Sequence, residues 1–459
     1  MKKHTIHISE QTSPPEVLNY RTIYLLTTVA ALGGLLFGYD TAVISGAIGY
    51  LRIKFELSPA MTGWAASAAI IGCIFGAMFA GGLSDRFGRK KILILTAVLF
   101  GVSAIGSAIP SNITQFTIAR FVGGLGVGGA SILSPLYITE MAPASIRGKL
   151  VSVYQLAIVS GILLIFFVNM VVQNMGTEAW NINTGWRYMV GSEILPALLF
   201  FFAILFIPES PRWLMKENRE KMAGDVLLMI HTPQRVEEIK AEIRASLQQQ
   251  TGTLKELFTG KYRKTLIAGV LLAIFSQVQG INAIMYYAPV IFEELGTGKA
   301  YMQTVIIGVI NLLFTFVAIR LVDRSGRRNL LLAGGAGMSL SLALIGASFR
   351  FSFEGYLLLF FILTYVACFA ASYGPVTWVY ISEIFPVKLR GLAISVATLA
   401  LWAAVYLVTQ FFPIMLESIG AAYTFWFYCV MSILALIFVR SSVIETKGRT
   451  LEEIERSGR

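Results

Sequence analysis

The chain has 459 residues, 56% of them hydrophobic and only 14% charged, with a mean hydropathy of +0.70. About a quarter of a soluble domain is charged, so the two or three soluble domains that length alone would suggest are excluded, as is a disordered chain. Three Cys exclude a disulfide scaffold. The formal net charge of +11 would suggest nucleic acid as partner of a soluble protein. In a membrane protein it is first a topology signal, because cytoplasmic loops collect Lys and Arg.

A bilayer core of ~30 Å needs about 20 apolar residues per helix. Twelve such spans are predicted, at 24–50, 60–82, 90–109, 114–138, 149–173, 187–207, 264–290, 301–322, 329–348, 355–381, 391–413 and 421–441. Continuous apolarity excludes a membrane barrel, whose strands alternate. The polar start and the long first apolar run predict no removable signal peptide. The expected layout is a segment 1–23, a bundle 24–207, a linker 208–262, a second bundle 263–441 and a tail 442–459. Polar stretches such as Gln234 to Gln250 predict short surface helices in the linker.

With the N-terminus inside, the loops after spans 2, 4, 6, 8 and 10 and both termini hold 31 of the 37 Lys and Arg. Outside fall Arg52, Lys54, Arg187, Lys299 and Arg350, and Arg120 lies within a span. The bias predicts a multi-pass protein of the cell membrane with both termini cytoplasmic.

The chain repeats itself. Asp85-Arg86-Phe87-Gly88-Arg89-Lys90 recurs as Asp323-Arg324-Ser325-Gly326-Arg327-Arg328, offset by 238. Glu140 to Arg147-Gly148 recurs as Glu383 to Arg390-Gly391, offset by 243, and Glu209 recurs as Glu445, offset by 236. Three motifs at nearly one offset, on one side, predict two six-helix halves in parallel duplication, with substrate at the midplane between them. A topology signal needs basic residues but no carboxylate. Asp85, Arg89, Glu140 and Arg147, with Asp323, Arg327, Glu383 and Arg390, are therefore expected to form a cytoplasmic gate network, with Glu140 paired to Arg147 and Glu383 to Arg390, joined by Glu209, Arg212 and Glu445. Exposed pairs give only ~0–1 kcal/mol each, so only a network would matter.

Asp40 and Arg120 are full charges inside spans. Each costs ~2.5–3.5 kcal/mol on insertion scales and normally faces the interior with a partner. They form either a static pair or a proton site in which a moving Arg switches the hold on the proton. Glu193, in span 6, is an accessory or a structural group.

The motifs carry a resemblance. Gly-Gly-Leu-Ser-Asp-Arg-Phe-Gly-Arg-Lys-Lys (81–91), its partner at 323–328, Pro-Glu-Ser-Pro-Arg-Trp-Leu (208–214), Glu-Thr-Lys-Gly (445–448), Gly-Tyr-Asp (38–40) and Gln-Gly-Ile-Asn (279–282) are in the order of the sugar porter family of the major facilitator superfamily. The chain resembles that family from about 24 to 455, nearest its bacterial sugar–proton symporters of the xylose–proton symporter type. The resemblance implies an all-helical carrier that imports a monosaccharide with a proton by alternating access, and an Asp matching Asp40 goes with coupling. Uncoupled sugar or polyol carriage is the alternative, and a non-transporting sensor, usually marked by a long cytoplasmic tail, a lesser one.

A sugar offers hydroxyls and weakly apolar faces, which amides and aromatic rings suit. Gln155, Gln277, Asn282 and Asn311 are amides inside spans. Gly280 is placed to break a helix before Asn282. Each amide serves otherwise as glue between helices. The resemblance implies that these four bind sugar, that Trp378 stacks on it, and that Phe37, Tyr286 and Trp402 line the pocket. Ser276, Leu401 and Ile162 stand where the xylose type has Gln. The pocket is thus expected to be less polar, which leaves hexoses and polyols open.

Gly124-x-Gly126-x-x-Gly129 matches a dinucleotide fingerprint but lies inside an apolar helix, where Gly serves close packing. His4, His7 and His231 form no metal set, and Cys73, Cys368 and Cys429 read as apolar filler. No nucleophile–base set or P-loop is present, so no enzyme activity, cofactor or nucleotide drive is expected. A monomer suffices, because the duplication supplies both halves.

Overall fold

The computed structural model describes residues 18–248, 252–259, 262–293, 299–353 and 355–447. Among these, eleven helices are long and apolar enough to cross a membrane. The last, Lys388–Ser442, has 55 residues and at 1.5 Å per residue would be more than twice as long as a bilayer core is thick. It turns at Gly420, whose φ of 81° and ψ of 164° are not helical. Glycine takes that conformation without a Cβ clash. The described residues therefore hold twelve spans long enough to cross a bilayer.

Spans 1 to 6 are Tyr20–Lys54, Pro59–Phe87, Arg89–Ala108, Ile113–Met141, Arg147–Gln173 and Glu178–Leu205. Spans 7 to 10 are Arg263–Glu293, Ala300–Ser325, Arg327–Phe351 and Gly355–Glu383. Spans 11 and 12 occupy 387–419 and 421–442. Most overrun the predicted limits by several residues, because apolar sequence marks the bilayer and the helices continue beyond it. Helix starts follow ordinary capping: Asn19, Ser58 and Asn112 accept from Thr22, Met61 and Gln115 backbone N–H groups. Short helices fill the linker at Pro211–Lys216, Glu220–Leu228, Pro233–Gln248 and Leu254–Phe258. The predicted surface helix is the third of these. His4 and His7 lie outside the described residues.

Within the first half, glycines let helices touch backbone to backbone. A Cβ at Gly124 would overlap the Ala69 carbonyl, one at Gly128 that of Cys73, and one at Gly72 that of Phe121. Those contacts join spans 2 and 4. Gly126 and Gly129 face Thr96 of span 3. The apparent dinucleotide fingerprint is thus a helix-packing surface. Gly38 and Gly161 join spans 1 and 5 in the same way, against the Ile158 and Leu35 carbonyls. The outer surface is apolar: Leu195, Phe202, Phe206, Leu340 and Phe360 are all more than half exposed. Water would not tolerate so much exposed apolar area, and lipid does.

Candidate functional site: a buried charge pair and a central amide cluster

The packing of spans 2, 4, 1 and 5 brings Arg120 to Asp40. Arg120 Nη1 donates to Asp40 Oδ1 at 2.6 Å. Its Nη2 donates to the Asp40 backbone carbonyl at 2.7 Å and to Oδ2 at 3.3 Å. Both residues are buried. Glu193 is buried too, close enough for the Asp40 carboxyl and the Arg120 guanidinium to act on it. Arg120 Nε, Glu193 Oε1 and the hydroxyls of Ser103 and Ser107 have no hydrogen-bond partner among the described residues. The site thus holds two carboxyls, one guanidinium and unused polar capacity. With both carboxyls ionised it would carry a net negative charge in a dry interior, which is costly. A proton neutralises it. The sequence marked Glu193 as an in-span charge, but only the structure places it against Asp40.

Span 7 breaks at Gly280, where φ is 95° and a Cβ would strike Tyr428. The break lets residues on both sides meet. Asn282 Nδ2 donates to Gln277 Oε1 at 2.7 Å, and Gln277 Nε2 donates to Ser276 Oγ at 3.0 Å. These bonds set which end of the Gln277 amide faces Asn282. The rings of Phe37 and Trp402, one from each half, approach to 5.6 Å between centroids. Tyr286 and Asn311 are buried, while Gln155 and Phe37 are half-buried. Trp378 is 37% exposed and follows a second break, at Ser372 (φ −135°, ψ −92°), just before the Gly374-Pro375 pair. No hydrogen bond among the described residues joins Gln155, Asn311 or Trp378 to the Gln277–Asn282 pair. The structure therefore brings together one amide pair and one aromatic pair, and leaves the other predicted residues unlinked to them.

The basic face carries two copies of one arrangement. Glu209 accepts from the Arg89 backbone N–H at 2.9 Å and the Lys90 N–H at 3.2 Å. Glu445 accepts from those of Arg327 at 2.9 Å and Arg328 at 3.1 Å. Each carboxylate thus caps a helix N-terminus. Gly88 and Gly326 precede them at φ 102° and 82°, and a Cβ at either would collide with the capping Glu. Arg89 forks onto Glu140 at 2.9 and 3.0 Å and reaches Asp85 at 2.9 Å. Arg327 forks onto Glu383 at 3.1 and 2.8 Å.

Two expected pairings are replaced. Glu140 is held by Arg89, and Arg147 instead donates to the Ala142 carbonyl at 3.3 Å. Glu383 is held by Arg327, and Arg390 donates to the Phe385 carbonyl at 3.4 Å. The cause is geometric: Arg89 and Arg327 start the helices packed beside those carboxylates, whereas Arg147 and Arg390 stand in the first turn of the next helix, past the loop that follows each Glu. Arg212 is exposed, and the side chain of Asp323 lies outside the described residues. Each cluster links helix ends within one half. The halves bond to each other at the opposite face, where Tyr301 donates to the Gly46 carbonyl at 2.7 Å and Gln410 accepts from Ser67 at 2.8 Å. At the basic face, a Cβ at Gly81, Gly148 or Gly391 would meet nothing within 4 Å.

Burial alone would push the Glu445 carboxyl up, but the backbone N–H groups of Lys447, Arg327, Arg328 and Thr446 outweigh it and hold it below the usual range. A lowered value means that the cap stabilises above the ordinary Glu pKa of about 4.3 and that this contribution is lost as pH falls through the lowered one. Glu445→Ala is expected to cost about 1 kcal/mol at pH 7, the usual worth of a cap. The loss should shrink on acidification below about pH 4, as read by thermal unfolding in detergent. An unchanged loss at low pH would exclude an ionised cap.

A family model described as sugar (and other) transporter matches residues 26–457. The chain belongs to the sugar porter family of the major facilitator superfamily. It is 46% identical to the arabinose-proton symporter of Bacillus subtilis (strain 168), over 95% of this chain and 94% of that one. It is 42% identical to the D-xylose-proton symporter of Escherichia coli (strain K12), over 95% and 96%. The xylose transporter XylE from E. coli in its inward open conformation superposes on this sugar porter with a TM-score of 0.85 at 42% identity, covering 95% of this chain and 99% of that one. The family consists of transporters, not enzymes, and the fold is the all-helical major facilitator fold with short linker helices.

Proposed function

We propose that this sugar porter is a proton–monosaccharide symporter of the cell membrane, acting as a monomer with both termini and the basic face in the cytoplasm. The observation that carries the coupling is the fully buried Asp40–Arg120 pair with Glu193 against it. Two carboxyls against one cation leave the centre a proton short of neutrality, which the pair alone would not. Protonation of Asp40 releases its hold on Arg120 and favours the outward, sugar-binding state. The sugar is a pentose or hexose, held by Gln155, Gln277, Asn282, Asn311 and Trp378 and flanked by Phe37, Tyr286 and Trp402. The Gln277–Asn282 bond leaves one N–H of Gln277 and the carbonyl of Asn282 for sugar hydroxyls. The relatives named for arabinose and xylose support the pentoses. The apolar Ile162 and Leu401 support hexoses beside them. Inward opening parts the two halves at the basic face, each half keeping its own charge cluster, and discharges sugar and proton together.

Uptake into proteoliposomes across a panel of pentoses, hexoses and myo-inositol, with and without an imposed pH gradient, tests this reading. One or more sugars are expected to accumulate only with the gradient. Saturable uptake indifferent to it would leave an uncoupled carrier. Gln277→Ala is expected to raise KM for the accepted sugar about tenfold, the worth of one lost hydrogen bond, while the ratio of accumulation is kept at saturating sugar.

A further inference from the structure

Gln279, immediately before the break in span 7, is fully buried and has no part in the sugar site as described. Its Nε2 donates to the Phe275 carbonyl at 2.8 Å. Its Oε1 accepts from the Ser432 hydroxyl at 2.8 Å, and its backbone carbonyl accepts from Tyr365 at 2.9 Å. Ser339 Oγ stands 2.9 Å from Ser432 Oγ. Spans 7, 9, 10 and 12 meet in this knot.

The first half contains the same knot with charges in it. Spans 1, 3, 4 and 6 meet round Asp40. Arg120 donates to the backbone carbonyl of Asp40, as Tyr365 does to that of Gln279. Glu193 stands against the Asp40 carboxyl, as Ser432 does against the Gln279 amide. Ser103 lies close by: a Cβ at Gly123 would touch both Ser103 and Asp40. Gln279, Tyr365, Ser432 and Ser339 follow Asp40, Arg120, Glu193 and Ser103 by 239, 245, 239 and 236 residues. Those separations agree, within about one helical turn, with the repeat of the loop motifs. The duplication therefore built one polar centre twice, with carboxyls and a guanidinium in one half only.

We propose that Gln279 is a positioning residue for the sugar site, and that the neutral knot round it holds the span 7 break, and with it the Gln277–Asn282 pair, in one geometry while the Asp40 centre changes partners. The ionisable groups packed round the knot, Tyr365, Tyr428 and Cys429, are neutral near pH 7 by their ordinary values, so the knot does not respond to the proton that works the other half. Opening it would leave buried polar groups unpaired. The proposal rests on Gln277 and Asn282 holding the sugar.

The test is Gln279→Leu, which keeps the volume and removes two of the three bonds. In sugar exchange across proteoliposomes, KM is expected to rise about tenfold with the maximal rate within about twofold, the pattern of lost binding. The accumulation ratio under a pH gradient at saturating sugar should stay that of the wild type. Hydrogen–deuterium exchange across 275–285, which needs no ligand, should speed up in the variant. Gln279→Glu should restore KM, because a buried carboxyl with no cation beside it stays protonated and donates where Nε2 did. If Gln279→Leu does not fold, Ser432→Ala is expected to shift KM and exchange in the same direction by less. An unchanged KM and unchanged deuterium exchange in a folded Gln279→Leu would overturn the proposal. So would loss of accumulation with KM intact, which would make Gln279 a coupling residue. The sugar-site reading fails separately, if Gln277→Ala leaves KM unchanged.

Discussion

Asp40→Asn is expected to abolish proton-driven accumulation while sugar exchange across the membrane continues. A pH gradient of one unit supplies about 1.4 kcal/mol per proton, enough for up to tenfold accumulation at one proton per sugar; in the variant the ratio should fall to one. Asn keeps an oxygen for Arg120 but takes no proton. The guanidinium still has Glu193 in the same centre, so the fold should survive. Asp40→Leu is the poorer choice, since an uncompensated buried charge costs about 3–5 kcal/mol. Flux of labelled sugar with and without a gradient, in one vesicle preparation, separates the two activities. Normal accumulation by Asp40→Asn would remove Asp40 from the coupling role. Because Asp40 and Glu193 share one cation, Glu193→Gln changes the charge that Arg120 has to balance and should move the pH profile of uptake. A profile identical to the wild type's would make Glu193 structural.

Gly124→Leu is expected to lower stability by about 3 kcal/mol or more, as overpacking at a backbone contact does. A Cβ at Gly124 already overlaps the Ala69 carbonyl and presses on the Gly72 Cα, so spans 2 and 4 must separate along their whole crossing. Since span 4 carries Arg120, the separation also draws the guanidinium away from Asp40, and transport should fall with stability. Gly81→Ala, on span 2 but facing open space, is the control. It should be neutral or gain up to about 1 kcal/mol from helix propensity. Thermal unfolding in detergent checks both. Equal stability of the two variants would mean that the close helix crossing contributes nothing.

The duplicated centres also show how far the sequence could be read. Asp40 and Arg120 stood out because a full charge inside an apolar span is an exception, whereas Gln279 did not, because an amide inside a span is ordinary. Its place one repeat after Asp40 could be counted, but the hydrogen bonds to a backbone carbonyl that make the two centres alike leave no mark in sequence. The same limit explains the basic face. The carboxylates and arginines of the loops were legible as a repeated set, but their pairing was not, since Glu140 and Arg89 are 51 residues apart and meet only when spans 3 and 4 pack.

The sequence by itself determined what depends on local thickness, charge and repetition: twelve crossings, a basic side, two parallel halves and a short set of exceptional charges and amides. Hydrophobic length and loop charge act segment by segment, so they survive without knowledge of neighbours. Only the tertiary structure decided which groups meet: Glu193 beside Asp40, Asn282 on Gln277, Arg89 rather than Arg147 on Glu140, and the knot that closes on Gln279. Those choices come from helix crossings fixed by glycines whose neighbours lie tens of residues away, and a bond of 2.6–3.0 Å is made or lost by shifts far smaller than a helix diameter.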